Sequence, residues 1–233
     1  MSAPWVFLHG WGYLPSVWDS LRAHLDAPSY APALTADDDL TTWADALVDQ
    51  VPEGAVVVAW SLGALLALQL AARHPARTSK LILFGATARF VADDTWPHGL
   101  DAPTVDAFED NFRRAPSRTL QRFVALQALH DARRAQVTDA LAASLLDAHH
   151  HADSLTRGLR CLAVSDLRPQ LAQVSAPTLL IHGEHDALMP IGAAHWLASA
   201  LPDAHLECIA DAAHAPFVSD TARCAALMRV FAC

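Results

Sequence analysis

Short apolar runs alternate along most of the chain with longer stretches whose apolar positions recur every three or four residues. The short runs predict strands over residues 5–8, 30–34, 55–59, 81–84, 178–182 and 205–209. The longer stretches predict helices over residues 17–25, 40–51, 62–73, 193–200 and 221–231. Because strands buried on both faces are apolar throughout, the alternation predicts an α/β fold with a mainly parallel sheet flanked by helices.

The alternation stops between about residues 89 and 168, where no strand pattern occurs. This stretch predicts helices over residues 104–114, 117–133, 137–149 and 153–164. We therefore expect a core formed by residues 1–88 and 169–233, with residues 89–168 inserted before the last two strands as an all-helical cap. Such a cap would cover the C-terminal edge of the sheet, where ligands bind in folds of this class.

Composition narrows the possible functions. The 233 residues are 53% hydrophobic and 18% charged, with a net charge of −9, so the chain has material for a large core and does not resemble a nucleic-acid-binding protein. Residues 55–72 carry no charge, but the β-branched run and the helix formers within them favour a buried strand and helix over a membrane span. Four cysteines without a C-x-x-C pair predict free thiols and a cytoplasmic location.

The segment Ala59-Trp-Ser-Leu-Gly63 lies where a predicted strand meets a predicted helix. It matches G-x-S-x-G with alanine in place of the first glycine. Small residues are needed there because the serine sits on a strained turn with backbone close by. We therefore predict that Ser61 is a nucleophile.

A nucleophilic serine needs a base and a carboxylate that orients the base. In this class the chain order is serine, acid, histidine. Asp186 and His214 each follow a predicted strand in that order, which favours them over the alternative acids Glu184 and Asp166. His9-Gly-Trp-Gly follows the first strand, and the backbone N–H groups of Trp11 and Leu62 are candidate donors to an oxyanion.

No metal site is predicted, because adjacent histidines such as those at positions 149–151 point in different directions on a helix end. The predicted cap is instead marked by arginines. Arg118, Arg122 and Arg133 would share one face if residues 117–133 formed one helix, and Leu120, Phe123, Val124 and Gln127 would form the other. The basic face is either solvated or a docking surface for an acidic macromolecule.

Several segments resemble one group of α/β hydrolases, the pimeloyl-[acyl-carrier protein] methyl ester esterases. The matching segments, among them Ser165-Asp-Leu-Arg, occur in order from Trp5 to about Cys224. The more specific ones are Asp94-Thr-Trp-Pro, Arg122-Phe-Val-Ala-Leu-Gln and Ala212-Ala-His-Ala-Pro-Phe. The chain departs from the group at residues 33–39, where a glycine-containing loop is replaced, and at Ala59 and Ala64, which stand for glycines.

The resemblance implies an α/β-hydrolase fold, a cofactor-free serine esterase and an acyl-carrier protein as the partner that carries the substrate. It implies a triad of Ser61, Asp186 and His214 with Trp11 and Leu62 at the oxyanion. It also implies an acyl pocket formed by Phe123, Val124, Ala125, Leu126 and Gln127, and carrier contacts at Arg118, Arg122, Arg133 and Arg134. Two alternatives are a broad short-chain carboxylesterase or C–C bond hydrolase, and a silent binding protein on the same fold.

Overall fold

The computed structural model describes residues 3–233, and a six-stranded parallel sheet forms their centre. The strands are β1 (Trp5–Leu8), β2 (Ser29–Tyr30), β3 (Ala55–Trp60), β4 (Thr78–Phe84), β5 (Thr178–Gly183) and β6 (Ala204–Ile209). Their order across the sheet is β2-β1-β3-β4-β5-β6. Every residue of β1, β3 and β5 is buried, as the continuous apolar runs predict.

Helices connect most of these strands. They are α1 (Asp19–Arg22), α2 (Leu40–Leu47), α3 (Leu62–Arg73) and α8 (Ile191–Ala200), and α9 (Pro216–Ser219) and α10 (Thr221–Ala232) follow the last strand. Four more lie between β4 and β5: α4 (Ala102–Arg114), α5 (Pro116–Gln127), α6 (Arg134–Ala142) and α7 (Ala152–Val164). The fold is that of an α/β hydrolase, and α3, with ten of its twelve residues buried, fills the space beside β3.

Two predicted elements near the N-terminus are shorter than expected. The strand predicted over residues 30–34 pairs only at Ser29–Tyr30. Pro32 has no N–H to donate to a ladder, and the N–H of Leu34 donates to His9 Nε2 at 3.1 Å. The helix predicted over residues 17–25 is a 3₁₀ turn at Pro15–Trp18 followed by the single turn α1.

The helices predicted over residues 117–133 and 137–149 were also wrong in length. The first ends at Gln127, and His130 beyond it has a left-handed φ of 67°. The second ends at Ala142 because the following segment pairs elsewhere: the N–H of Leu146 donates to the carbonyl of Gly12 at 2.9 Å. Arg133 is therefore not on α5, which corrects the predicted three-arginine face.

Candidate functional site

Ser61 occupies a strained turn between β3 and α3. Its φ and ψ are 58° and −121°, a region that residues with a side chain rarely adopt and that costs about 1–3 kcal/mol. The turn is held by a hydrogen bond from the Ser61 N–H to the carbonyl of Phe84 at 3.1 Å. Gly63 is required because a Cβ there would lie 2.5 Å from the carbonyl oxygen of Leu8. The turn thus presents the serine at the C-terminal end of the central strand.

His214 and Asp186 form a buried pair in the loops that follow β6 and β5. The Nδ1–H of His214 donates to Asp186 Oδ2 at 2.7 Å, and both side chains are fully buried. Asp186 Oδ1 accepts the N–H groups of Leu188 and Met189, each at 2.9 Å. Burial raises the pKa of the Asp186 carboxyl, but the charge and hydrogen bond of His214, with smaller contributions from His182 and the N–H of Met189, hold the pKa below its ordinary value.

Two glycines allow these loops to approach each other. A Cβ on Gly183 would lie 2.0 Å from the carbonyl oxygen of Ala213, and one on Gly85 would lie 2.9 Å from His214 Nδ1. Gly85 also has a φ of 48°. Any side chain at either position would displace the histidine loop, the segment after β6 that contains His214. The geometry of the His214–Asp186 pair therefore depends on both glycines.

The alternative acids lie elsewhere. Glu184 is exposed, and Asp166 is engaged by Arg168 at 2.6 Å. A second histidine, His182, lies behind Asp186: its Nε2–H donates to the carbonyl of Met189 at 2.7 Å and is 3.4 Å from Asp186 Oδ2. Burial lowers the pKa of His182, so the neutral ring is favoured.

His214 Nε2 is buried and has no hydrogen-bond partner among residues 3–233. His214 and Ser61 line one cavity, which measures about 600 Å³ together with the open space at its mouth. The remaining wall is apolar apart from Thr104 and comprises Phe90, Leu100, Val105, Phe108, Phe123, Leu126, Leu159, Leu162 and Leu188. The structure therefore brings the candidate nucleophile and base to the end of a chamber suited to an aliphatic chain.

The predicted acyl-pocket segment on α5 is only partly in this wall. Phe123 and Leu126 line the cavity, whereas Val124, Ala125 and Gln127 do not. Gln127 is buried and accepts a hydrogen bond from the Tyr13 hydroxyl at 2.6 Å through its side-chain oxygen. Burial raises the pKa of Tyr13 well above its ordinary value, so this hydroxyl stays protonated.

Sequence reasoning missed the wall residues of α4 and α7. Thr104, Val105 and Phe108 in α4 and Leu159 and Leu162 in α7 recur at spacings of three or four, the helical signal for a shared face. That signal was available, but it does not tell which helix faces point toward one another.

One predicted oxyanion donor, Trp11, lies in the loop after β1, and the other, Leu62, is the first residue of α3. Among residues 3–233, no acceptor is found for the backbone N–H groups of Trp11 and Leu62. The indole N–H of Trp11 donates to the carbonyl of Leu155 at 2.7 Å. Trp11 and Leu62 line a smaller neighbouring cavity rather than the apolar one.

His9 also stabilises the loop after β1. Its Nδ1–H donates to the carbonyl of Gly10 at 2.9 Å, while its Nε2 accepts from Leu34. Burial lowers the pKa of His9 to about 4, so the ring is neutral at pH 7 and both hydrogen bonds are maintained.

The four predicted partner arginines are exposed: Arg118, Arg122, Arg133 and Arg134. Within the described chain none of the four is in an ion pair, whereas Arg113 pairs with Asp110 at 2.6 Å. Arg122 is one helical turn from Leu126, which is 40% exposed and belongs to the cavity wall. Unpaired positive charge therefore lies close to the cavity on α5.

Two other kinds of site, a membrane-spanning helix and a metal centre, are absent from residues 3–233. No helix there is both long and apolar enough to cross a membrane. No three His, Cys, Asp or Glu side chains in that range are grouped as metal ligands would be. His150, in the predicted histidine run, contacts Asp147 at 3.1 Å on the surface.

Comparison with known proteins gives consistent results. Residues 5–227 match the model of the alpha/beta hydrolase family. A protein of Aromatoleum aromaticum named "Pimeloyl-[acyl-carrier protein] methyl ester esterase" is 45% identical, over 96% of this chain and 95% of its own. One of the same name from Nitrosomonas europaea is 37% identical, over 92% of this chain and 89% of its own.

More distant matches agree. "Biotin biosynthesis bifunctional protein BioHC" of Teredinibacter turnerae is 33% identical over 97% of this chain, which spans 44% of that protein. The structure of an esterase from Exiguobacterium antarcticum superposes with a TM-score of 0.83 at 19% identity, covering 99% of this chain and 92% of its own. The chain therefore belongs to the alpha/beta hydrolase family, within the group of relatives named pimeloyl-[acyl-carrier protein] methyl ester esterase.

Proposed function

We propose that this chain is a serine esterase that hydrolyses the methyl ester of pimeloyl-[acyl-carrier protein] in biotin biosynthesis. The observation that carries the proposed chemistry is the hydrogen-bonded His214–Asp186 pair, whose free Nε2 atom shares an apolar cavity with Ser61. The substrate is inferred from the names of relatives that align over nearly the whole chain.

In the proposed mechanism, Ser61 Oγ attacks the ester carbonyl while His214 Nε2 takes its proton. The N–H groups of Trp11 and Leu62 stabilise the oxyanion. His214 then donates that proton to the departing methoxide oxygen, so that methanol leaves and the acyl group stays on Ser61. Water, deprotonated by His214, attacks this ester and releases the free carboxylate. Asp186 keeps His214 in the tautomer with Nδ1 protonated. No cofactor takes part.

The cavity wall supports a neutral aliphatic ester as the substrate. It contains no lysine or arginine, so a carboxylate inside would lose its hydration without gaining a counter-ion. The methyl ester avoids that penalty, and the carboxylate product does not. Phe123 and Leu126 would contact the acyl chain, whereas Val124, Ala125 and Gln127 would support that wall from behind.

The exposed arginines would dock the carrier protein, because acyl-carrier proteins are acidic. We assign this role to Arg118 and Arg122 on α5 and to Arg133 and Arg134 at the start of α6. Residues 89–168 would then act as a cap that both receives the carrier and forms the acyl chamber. The free cysteines agree with a reducing compartment, so we place the reaction in the cytoplasm.

The test compares hydrolysis of pimeloyl-[acyl-carrier protein] methyl ester with that of p-nitrophenyl butyrate. Ser61→Ala should lower kcat on both by on the order of 10⁴-fold or more. Arg118→Glu combined with Arg122→Glu should raise KM for the carrier-bound ester by about tenfold to hundredfold and leave the small ester unchanged. Arg229→Glu, a single charge reversal at an exposed position outside residues 89–168, is the control for a general effect of added negative charge.

Full activity of Ser61→Ala would exclude the serine mechanism. Turnover of only the small ester by the wild-type enzyme would support a broad short-chain carboxylesterase instead. Equal effects of the α5 double variant and Arg229→Glu on the carrier-bound ester would remove the docking assignment.

A further inference from the structure

Asp131 is a buried carboxylate in the turn between α5 and α6. Its Oδ2 accepts the N–H of Ala213 at 2.9 Å. Its Oδ1 accepts the hydroxyl of Ser219 at 2.9 Å and the N–H of Arg133 at 2.8 Å. Asp131 is 5% exposed and is not part of the wall of the apolar cavity. It therefore does not contact a substrate held there.

The hydrogen bond from Ala213 to Asp131 is one of three that join this turn to the histidine loop. The N–H of His214 donates to the carbonyl of Gln127 at 3.1 Å, and the N–H of Ala132 donates to the carbonyl of Asp211 at 3.0 Å. Residues 127–132 thus hold residues 211–214 along their length. Only the bond to Ala213 depends on a side chain, so it is the one that a substitution can remove.

The turn is strained in a way that brings Asp131 into place. His130 has a φ of 67°, a left-handed conformation that costs a residue with a Cβ about 1–2 kcal/mol. The chain reverses there, immediately after α5, and the next residue is the buried aspartate. Such strain persists where surrounding contacts fix the backbone. Here those contacts are the hydrogen bonds between this turn and the histidine loop.

We propose that Asp131 is a positioning residue that holds His214 in its productive place and joins it to α5. The inference rests on the proposed role of His214 as the base. α5 also contributes Phe123 and Leu126 to the cavity wall and carries Arg118 and Arg122. The helix that would bind the acyl chain and the carrier is thereby hydrogen-bonded to the loop of the base.

The physical basis is that proton transfer tolerates little displacement of the donor and acceptor atoms. His214 Nε2 must lie within hydrogen-bond reach of Ser61 Oγ, and a displacement of about 1 Å can lower the rate by on the order of 100-fold. Without the Asp131 carboxylate, the buried N–H of Ala213 loses its acceptor, and the backbone next to His214 would shift toward another partner. Binding of the acyl chain in the cavity would be unaffected.

The experiment measures kcat and KM on p-nitrophenyl butyrate well below the unfolding temperature. Asp131→Ala should lower kcat by about tenfold to hundredfold with little change in KM. Asp131→Asn retains one acceptor oxygen and should fall between Asp131→Ala and the wild type. Val137→Ala, which truncates a fully buried apolar side chain of α6 and removes no hydrogen bond, is the control for general loss of stability.

A proton NMR signal supplies a second readout. The Nδ1–H of His214, hydrogen-bonded to Asp186, should give a low-field resonance in the wild type and Val137→Ala. In Asp131→Ala that resonance should shift or broaden. If Asp131→Ala does not fold, Asp131→Asn carries both measurements.

The His214→Ala variant distinguishes a failure of the proposed function from a failure of the positioning role of Asp131 alone. If it retains activity, the proposed function is wrong, and the role of Asp131 falls with it. If His214→Ala is inactive while the Asp131 variants match Val137→Ala in kcat and keep the wild-type resonance, only the positioning role is overturned.

Discussion

The indole N–H of Trp60 donates a 2.8 Å hydrogen bond to the main-chain carbonyl of His214. The residue that precedes the candidate nucleophile therefore holds the loop of the candidate base. The ring of Trp60 also packs against the rings of His214 and Phe217, with centroids 5.5 Å and 5.1 Å away. Strand β3 thus fixes Ser61 through its backbone and His214 through the neighbouring side chain.

Replacing Trp60 with phenylalanine should lower both activity and stability. The buried carbonyl of His214 would lose its donor, at a cost of about 1–3 kcal/mol in the free energy of unfolding. We expect kcat on p-nitrophenyl butyrate to fall several-fold with KM nearly constant. Trp18→Phe is the matched control, because Trp18 is equally buried and packs on Phe217, but its indole N–H has no partner among residues 3–233. Equal effects of the two substitutions on kcat would contradict the role of the bond.

Asp186→Asn should nearly abolish turnover while the fold persists. An amide directed toward His214 favours the wrong tautomer, and kcat should fall by on the order of 10³–10⁴-fold, as in other serine hydrolases of this type. Steady-state kinetics on both esters would measure it. Glu184→Gln removes the same charge two residues away at an exposed position and should leave kcat unchanged. A large loss in Glu184→Gln with a small one in Asp186→Asn would reassign the acid.

The free energy of unfolding should decrease as the pH falls from 6.5 to about 4. Over this interval His9 binds a proton in the unfolded chain but stays largely neutral in the folded protein. Its folded pKa is lowered to about 4 by burial, so the unfolded state binds more protons across this interval and stability rises with pH. The effect of His9 amounts to about 2 kcal/mol at pH 5, and His182, whose pKa burial also lowers, adds to it with the same sign.

Urea unfolding at pH 7 and pH 5 measures this dependence. His9→Gln, whose amide can both donate and accept, should show a smaller loss between the two pH values than the wild type. His205→Gln, at an exposed position on β6, should show the wild-type loss. An unchanged pH dependence in His9→Gln would exclude His9 as its source.

The parts of the fold that were predicted from the sequence depend on local pattern. The β3–Ser61–α3 unit lies where the apolar run, the small residues and the helix formers place it. Asp186 and His214 were selected because loops after neighbouring parallel strands converge on one edge of the sheet. Their hydrogen bond is observed, whereas their catalytic roles stay predictions.

The parts that were not predicted depend on distant partners. Helix-forming residues follow Gln127, but α5 ends there. The carboxylate of Asp131 instead accepts a hydrogen bond from Ala213, which lies 82 residues later in the chain. Residues 144–146 pair with the loop at Gly12–Leu14 instead of extending α6. The cavity wall joins α4, α5 and α7, and only the tertiary packing shows which of their faces meet.

Phe108 should set the length of acyl chain that the cavity accepts. Its ring lies in the cavity wall and contacts Trp11 and Phe123, with centroids 5.6 Å and 5.4 Å away. Phe108→Ala would open space beside the acyl path, and each additional buried methylene is worth about 0.8 kcal/mol, or nearly fourfold in kcat/KM. Because the opened space would bury only about one to two of the additional methylenes of the octanoyl chain, we expect the ratio of kcat/KM for p-nitrophenyl octanoate to that for the butyrate to rise by about tenfold.

Phe112→Ala is the matched control for this prediction. Phe112 contacts the same Trp11 ring at 5.3 Å, but it is not part of the cavity wall. Its truncation should reduce the free energy of unfolding by about 3–5 kcal/mol without changing the ratio. If the two variants shift the ratio equally, the effect comes from a displaced Trp11, and chain length is not set by Phe108.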